Sequence, residues 1–254
     1  SIGALKYYNS FILRNTNVSE LPSTTKNRIE KYDSPETINT FILEGNRFGA
    51  DSETSETIGG EDFNFLSGVA NISFKGELLI EIPTSILQYE EGVTENNIRN
   101  INLSGCSLTE IPTEIDNLGK STPFGVVTFD ISNNNITTIP PEFWNLSVVQ
   151  YTTDTGNTCD EGFTDVGGAG QYCRRGIITL DLSNNPGITW SGVDMNNVAI
   201  LDFRLNNNGY DSISGTILEN LPWAPEFLEI KDNNLTTIDV LPLSPDPWFG
   251  WYMF

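Results

Sequence analysis

The 254-residue sequence predicts a repeat solenoid of the α/β kind, with short strands stacked side by side and short helical or 3-10 turns on the outer side. Three observations carry that prediction. Apolar residues at relative positions −3, 0, 2, 7 and 10, often followed by proline, recur in eight copies. Positions 0 and 2 fall on one face of a strand, so each copy offers an inward pair. Asparagine makes up 28 residues, about 11% of the chain, and it holds position 5 in five copies. A single domain, residues 1–254 with repeats over about 5–240, accounts for the chain.

The first copy reads Tyr8, Phe11, Leu13, Thr16, Val18, Leu21 and Pro22, with Ile2–Tyr8 leading directly into its strand. The second is Ile38, Phe41, Leu43, Asn46 and Phe48, and the third Val69, Ile72, Phe74, Glu77, Leu79, Ile82 and Pro83. Ile98, Ile101, Leu103, Cys106, Leu108, Ile111 and Pro112 form the fourth; Val126, Phe129, Ile131, Asn134, Ile136, Ile139 and Pro140 form the fifth. The last three are Ile177, Leu180, Leu182, Asn185; then Val198, Leu201, Phe203, Asn206; then Pro225, Leu228, Ile230, Asn233, Leu235, Ile238. An amide side chain at position 5 can bond the backbone of neighbouring turns and so build a ladder along the solenoid. Thr16 and Cys106 are small enough to substitute. Glu77 fits worst, and a local distortion is expected around it. Residues 112–118 and 140–146 read as short helical turns whose prolines suit a first helical position.

The pattern LxxLxLxxNxLxxLP resembles the leucine-rich repeat family over nearly the whole chain. That resemblance implies a curved solenoid with a parallel sheet on its concave face, and a non-enzymatic role in binding proteins or glycans. It does not identify the partner.

Position-zero residues at 11, 41, 72, 101, 129, 180, 201 and 228 give steps of 30, 31, 29, 28, 51, 21 and 27, most of them long for the family. The extra length lies in polar loops such as 51–61 and 89–97, which are either solvated insertions or rim loops that carry specificity. Splitting the step of 51 into 23 and 28 puts Val149, Thr152, Asp154 and Asn157 in a degenerate ninth strand. A polar, Gly-rich insertion, 157–173, follows. Its cysteines, Cys159 and Cys173, read as a disulfide, which points to an oxidising, extracellular or cell-surface setting. The chain begins at Ser1 without signal-peptide features, so either a leader has been removed or the sequence is a fragment. Six sequons, at Asn17, Asn71, Asn102, Asn135, Asn145 and Asn234, permit glycosylation in a eukaryotic secretory route. At the other end, 241–247 is rich in proline. Five of the next seven residues are aromatic: Trp248, Phe249, Trp251, Tyr252 and Phe254. This tail reads either as a cap over the last repeat or as a plug for a neighbouring subunit.

Composition narrows the function. A formal charge of −21 disfavours nucleic acid and anionic lipid, and no apolar run is long enough for a transmembrane span. With no histidine, Ser-His-Asp, Cys-His and HExxH chemistry are excluded. No GxxxxGK[ST], GxGxxG or GxSxG motif occurs, and Cys106 sits in an apolar slot that suits packing rather than nucleophilic attack. No metal site is predicted; calcium would suit carboxylate ligands, but no DxDxDG loop occurs.

Strand positions 1, 3 and 4 are assigned to the concave face. Position 1 reads Ile12, Ile42, Ser73, Asn102, Asp130, Thr153, Asp181, Asp202 and Glu229, a stripe that turns acidic toward the C-terminus. Adjacent carboxylates at strand spacing repel by about 1 kcal/mol each in water-like surroundings, and Arg204 and Lys231 at position 3 offset part of that. The stripe is either a solvated face or a surface for a basic partner or a divalent cation. The two functional readings are a protein- or glycan-binding module of the cell exterior and a structural subunit of a surface, filament or virion assembly, joined through the tail.

Overall fold

The computed structural model describes residues 10–18, 39–47, 69–82, 87, 98–120, 126–152, 164–165, 171–189, 198, 200–212 and 225–236. Eight of its strands form one parallel sheet: β1 (Ser10–Arg14), β2 (Thr40–Glu44), β3 (Asn71–Ser73), β4 (Asn100–Asn102), β5 (Thr128–Asp130), β9 (Thr179–Asp181), β10 (Asp202–Arg204) and β11 (Phe227–Glu229), in that spatial order. Consecutive strands pair with their position-zero residues aligned, as in Phe11, Phe41, Ile72, Ile101 and Phe129. Those side chains make the core. From Phe41 to Phe203 every position-zero residue is at most 2% exposed. Aromatic rings bridge the repeats: Phe11 stacks on Phe41 at 5.3 Å, and Phe41 meets Phe74 edge-on at 6.2 Å.

Helical structure among the described residues consists of 3-10 turns at Thr113–Asp116 and Pro141–Leu146, α1 (Asn117–Lys120) and the single 3-10 residue Leu87. The sheet is therefore the dominant element. Pro112 and Pro140 stand one residue earlier than predicted, as extended N-caps, and Pro141 takes the first helical slot. Proline suits both places because neither needs a backbone N–H.

Each strand ends on a left-handed residue at position 4: Asn15, Gly45, Gly76, Gly105, Asn133, Asn184, Asn207 and Asp232, with φ between 50° and 70°. Only glycine, asparagine and aspartate adopt that conformation cheaply, and asparagine fills four of these eight places. At Gly45 a Cβ would also come within 2.7 Å of Asn15 Oδ1.

Position 5 forms the ladder. Asn134 Oδ1 accepts from the amides of Cys106 and Leu108, at 3.1 and 2.9 Å, and its Nδ2 donates to the carbonyls of Leu103, Ile131 and Ser132. Asn185 and Asn233 repeat that arrangement. Glu77, the expected misfit, lies fully buried within the ladder, and its Oε1 accepts from both the amide and Nδ2 of Asn46. The sheet register runs through β3 undisturbed, so the predicted distortion is absent. A carboxylate oxygen can replace an amide oxygen because the rung needs an acceptor at that point.

Two further expectations are overturned. The degenerate ninth strand does not exist in the main sheet, because β5 pairs directly with β9 and aligns Asp130 with Asp181. The Asn185 rung likewise reaches the Ile136 amide of the repeat before the insertion. The intervening chain forms a separate antiparallel sheet of β6 (Ser147–Thr152), β7 (Thr164–Asp165) and β8 (Gln171–Gly176). Its neck is closed at Gly176, where φ is +109° and a Cβ would stand 1.7 Å from the Leu146 carbonyl oxygen. The second correction is a register slip. Phe203, not Leu201, aligns with Leu180 and Leu228. The seventh copy is therefore Ile200, Phe203, Leu205 and Asn208, and the last two steps become 23 and 25.

Candidate binding face

With the register corrected, position 1 of the sheet reads Ile12, Ile42, Ser73, Asn102, Asp130, Asp181, Arg204 and Glu229. These side chains alternate with the core residues and form the open face of the sheet. Asp202 is not among them. It belongs to position −1, aligned with Thr179 and Phe227. Arg204 stands in its place, so the predicted run Asp181, Asp202, Glu229 is broken by a cation. Thr153 lies outside the described residues and has no slot between Asp130 and Asp181.

The charged groups of this face fall into two kinds. Most carboxylates have a cation. Arg14 Nε donates to Glu44 Oε2 at 2.5 Å, Arg204 grips both oxygens of Asp202 at 2.8 and 3.1 Å, and Lys231 pairs with Glu229. Arg204 also lies 6.0 Å from the centre of the Phe227 ring. Asp130 and Asp181 differ. Each uses Oδ1 to accept the amide two residues on, from Ser132 at 3.0 Å and Ser183 at 2.9 Å, and neither has an ion-pair partner among the described residues.

The electrostatics follow that division. Burial raises the Asp181 carboxyl, the Ser183 hydrogen bonds pull it down, and the charge of Asp130 raises it further, leaving it above its ordinary value. Burial also works against Glu44, but the hydrogen bonds from Ser73 and Arg14 prevail and hold it low. The Lys231 and Asn206 hydrogen bonds hold Glu229 low. Cys106, fully buried, is pushed up to about 12 by desolvation, and its thiol donates to the Phe74 carbonyl at 2.9 Å. That is the behaviour of a packed, protonated thiol.

The other predicted residues divide between described and undescribed chain. Trp248, Phe249, Trp251, Tyr252 and Phe254 lie outside the described residues, as does Cys159; Cys173 falls in β8 opposite Gln150. Asn17, Asn135, Asn145 and Asn234 are exposed, while Asn71 and Asn102 sit within β3 and β4, half-buried. Asn71 Nδ2 is engaged with the Asn39 carbonyl, and Asn71 Oδ1 accepts from Asn100 Nδ2 at 2.6 Å. Among the described residues no group of three or more cysteine or acidic side chains could hold a metal ion, and no helix is long and apolar enough to cross a membrane.

Arg204 was missed as a member of the position-1 column, although the signal was present. Counting from Phe203 puts Ile200 at −3, Tyr210 at 7 and Ile213 at 10, all apolar. Counting from Leu201 puts Asn208 and Asp211 in the last two places.

Residues 97–118 and 125–146 match the family model described as Leucine Rich Repeat. These segments hold β4 and β5 with the helical turns that follow them. No curated protein and no solved structure matches the chain.

Proposed function

We propose that this leucine-rich repeat protein is a non-catalytic binding module that captures a basic segment of another protein on the open face of its sheet. Repeats of this family suggest protein binding in general; the choice of partner rests on one observation. Asp130 and Asp181 stand side by side on adjacent strands with no ion pair among the described residues, Arg204 on the next strand acting on Asp181 only through its charge, while Glu44, Asp202 and Glu229 each have an ion pair. Two carboxylates at strand spacing repel each other, and an arriving lysine or arginine removes that repulsion. A neutral glycan would leave it in place. We assign the module to the cell exterior, a reading supported by the exposed sequon asparagines and by the Cys159 and Cys173 loop of the sequence.

The test uses a fluorescent oligolysine peptide as probe. The double variant Asp130→Asn, Asp181→Asn should bind it about tenfold more weakly than the parent at low salt, and the parent's affinity should fall as salt rises. Glu44→Gln, whose carboxylate is already paired, serves as the control. Equal affinity in the parent and the double variant would overturn the assignment.

A further inference from the structure

The last described repeat is unlike the interior ones before it. Upstream, the core residues at positions 0, 2 and 7 are sealed by the next repeat: Phe129, Ile131 and Ile136 are 0% exposed. Their counterparts Leu228, Ile230 and Leu235 are only partly buried. The backbone is open too. In the repeat before, the Asn208 and Tyr210 amides both donate to Asn233 Oδ1, at 2.9 and 3.3 Å. The matching amides, Asn233 and Leu235, have no further rung to donate to among the described residues. This end therefore presents apolar side chains together with unused N–H donors. It is matched by a chain segment that brings both carbonyl groups and large apolar side chains.

We propose that the occupant of this end is the chain's own segment 237–254, docked in cis. The segment begins one residue after Thr236, the last described residue of that repeat, so its tether is short. It carries Ile238, Val240, Leu241 and Leu243, then Trp248, Phe249, Trp251, Tyr252 and Phe254. A segment tethered this closely is present at millimolar effective concentration, above that of a second copy in dilute solution. Occupation in cis seals the hydrophobic core and leaves the open face of the sheet available to a partner. Occupation by a second copy would instead give head-to-tail association, because the contact joins two different surfaces.

The experiment compares the full chain with the variant Trp248→Ser, Trp251→Ser, Phe254→Ser by hydrogen exchange and sedimentation. The amides of β11 and of Asn233–Leu235 should exchange about tenfold faster in the variant while those of β4 and β5 hold, and the parent should sediment as a monomer at every concentration. Unchanged exchange at β11 would overturn the proposal. So would protection in the parent that grows with concentration alongside a dimer, which would identify a second copy as the occupant. If the triple variant loses protection throughout, a double-mutant cycle between Leu228→Ala and Trp251→Ala decides: coupled effects on thermal stability support the contact, and additive effects refute it.

Discussion

The two halves of the ladder solve one problem with different chemistry. Downstream, Asn134, Asn185 and Asn233 each do two jobs. The amide oxygen accepts from the preceding repeat's backbone, and the amide nitrogen donates to that repeat's strand-end carbonyl. Upstream, the rungs are Thr16, Asn46, Glu77 and Cys106. Glu77 performs the accepting job for Asn46, and Cys106 performs the donating job through its thiol to Phe74. Because sulfur is a poor acceptor, the Cys106 thiol serves the Glu77 amide only weakly, and that amide also donates to the Phe74 carbonyl at 3.0 Å. The difference shows what asparagine contributes: a donor and an acceptor on one short side chain. A rung lacking either can persist where the backbone finds a local substitute.

The largest effect is expected at a complete rung. Asn134→Ala leaves the Cys106 and Leu108 amides and the Leu103 carbonyl without their partner, while the Ile131 and Ser132 carbonyls keep Asn185 Nδ2 and the Gly105 amide, and should cost about 2–4 kcal/mol in denaturant unfolding. A loss no larger than that of an exposed substitution such as Asn135→Ala would break the comparison. A smaller, opposite effect is expected at Cys106. Asparagine there would accept from Glu77 while still donating to Phe74, and Cys106→Asn should add about 1 kcal/mol. Destabilisation would mean that packing around this fully buried site outweighs the hydrogen bond gained.

The smallest effects concern the open face, where the halves differ again. Glu44 upstream is held below its ordinary value, so its stabilisation is present above the unfolded pKa and lost as pH falls through the folded one. Asp181 downstream is held above its ordinary value, so its contribution is present below the unfolded pKa and lost as pH rises through the folded one. Melting temperatures at pH 7 should therefore fall slightly for Glu44→Gln and rise slightly for Asp181→Asn, whose amide oxygen can still accept from Ser183. Shifts of the same sign in both variants would refute the contrast.

Much of this molecule was legible in the sequence because a solenoid repeats its local demands. Apolar residues at −3, 0 and 2, a turn-forming residue at 4 and a rung at 5 are needed in every copy, so the pattern reports the strands and the core. The binding face was less legible. Placing Asp202 in the acidic column and leaving Arg204 out of it came from one slip of two residues. In the run from Leu201 to Asn208, apolar residues alternate and then three asparagines follow, so a slip of two keeps the apolar face inward and keeps an asparagine on the rung.

By itself, then, the sequence determined the repeat and the absence of histidine-based catalysis, and the likeness of one copy to the next implied the parallel stacking and the ladder, since each copy sets the same residues at the same places. Tertiary structure alone decided which strand follows β5 and which charges meet across the sheet. Those outcomes depend on pairings between residues 23 to 51 positions apart, where the step contains a separate antiparallel sheet or a two-residue ambiguity that no local spacing resolves.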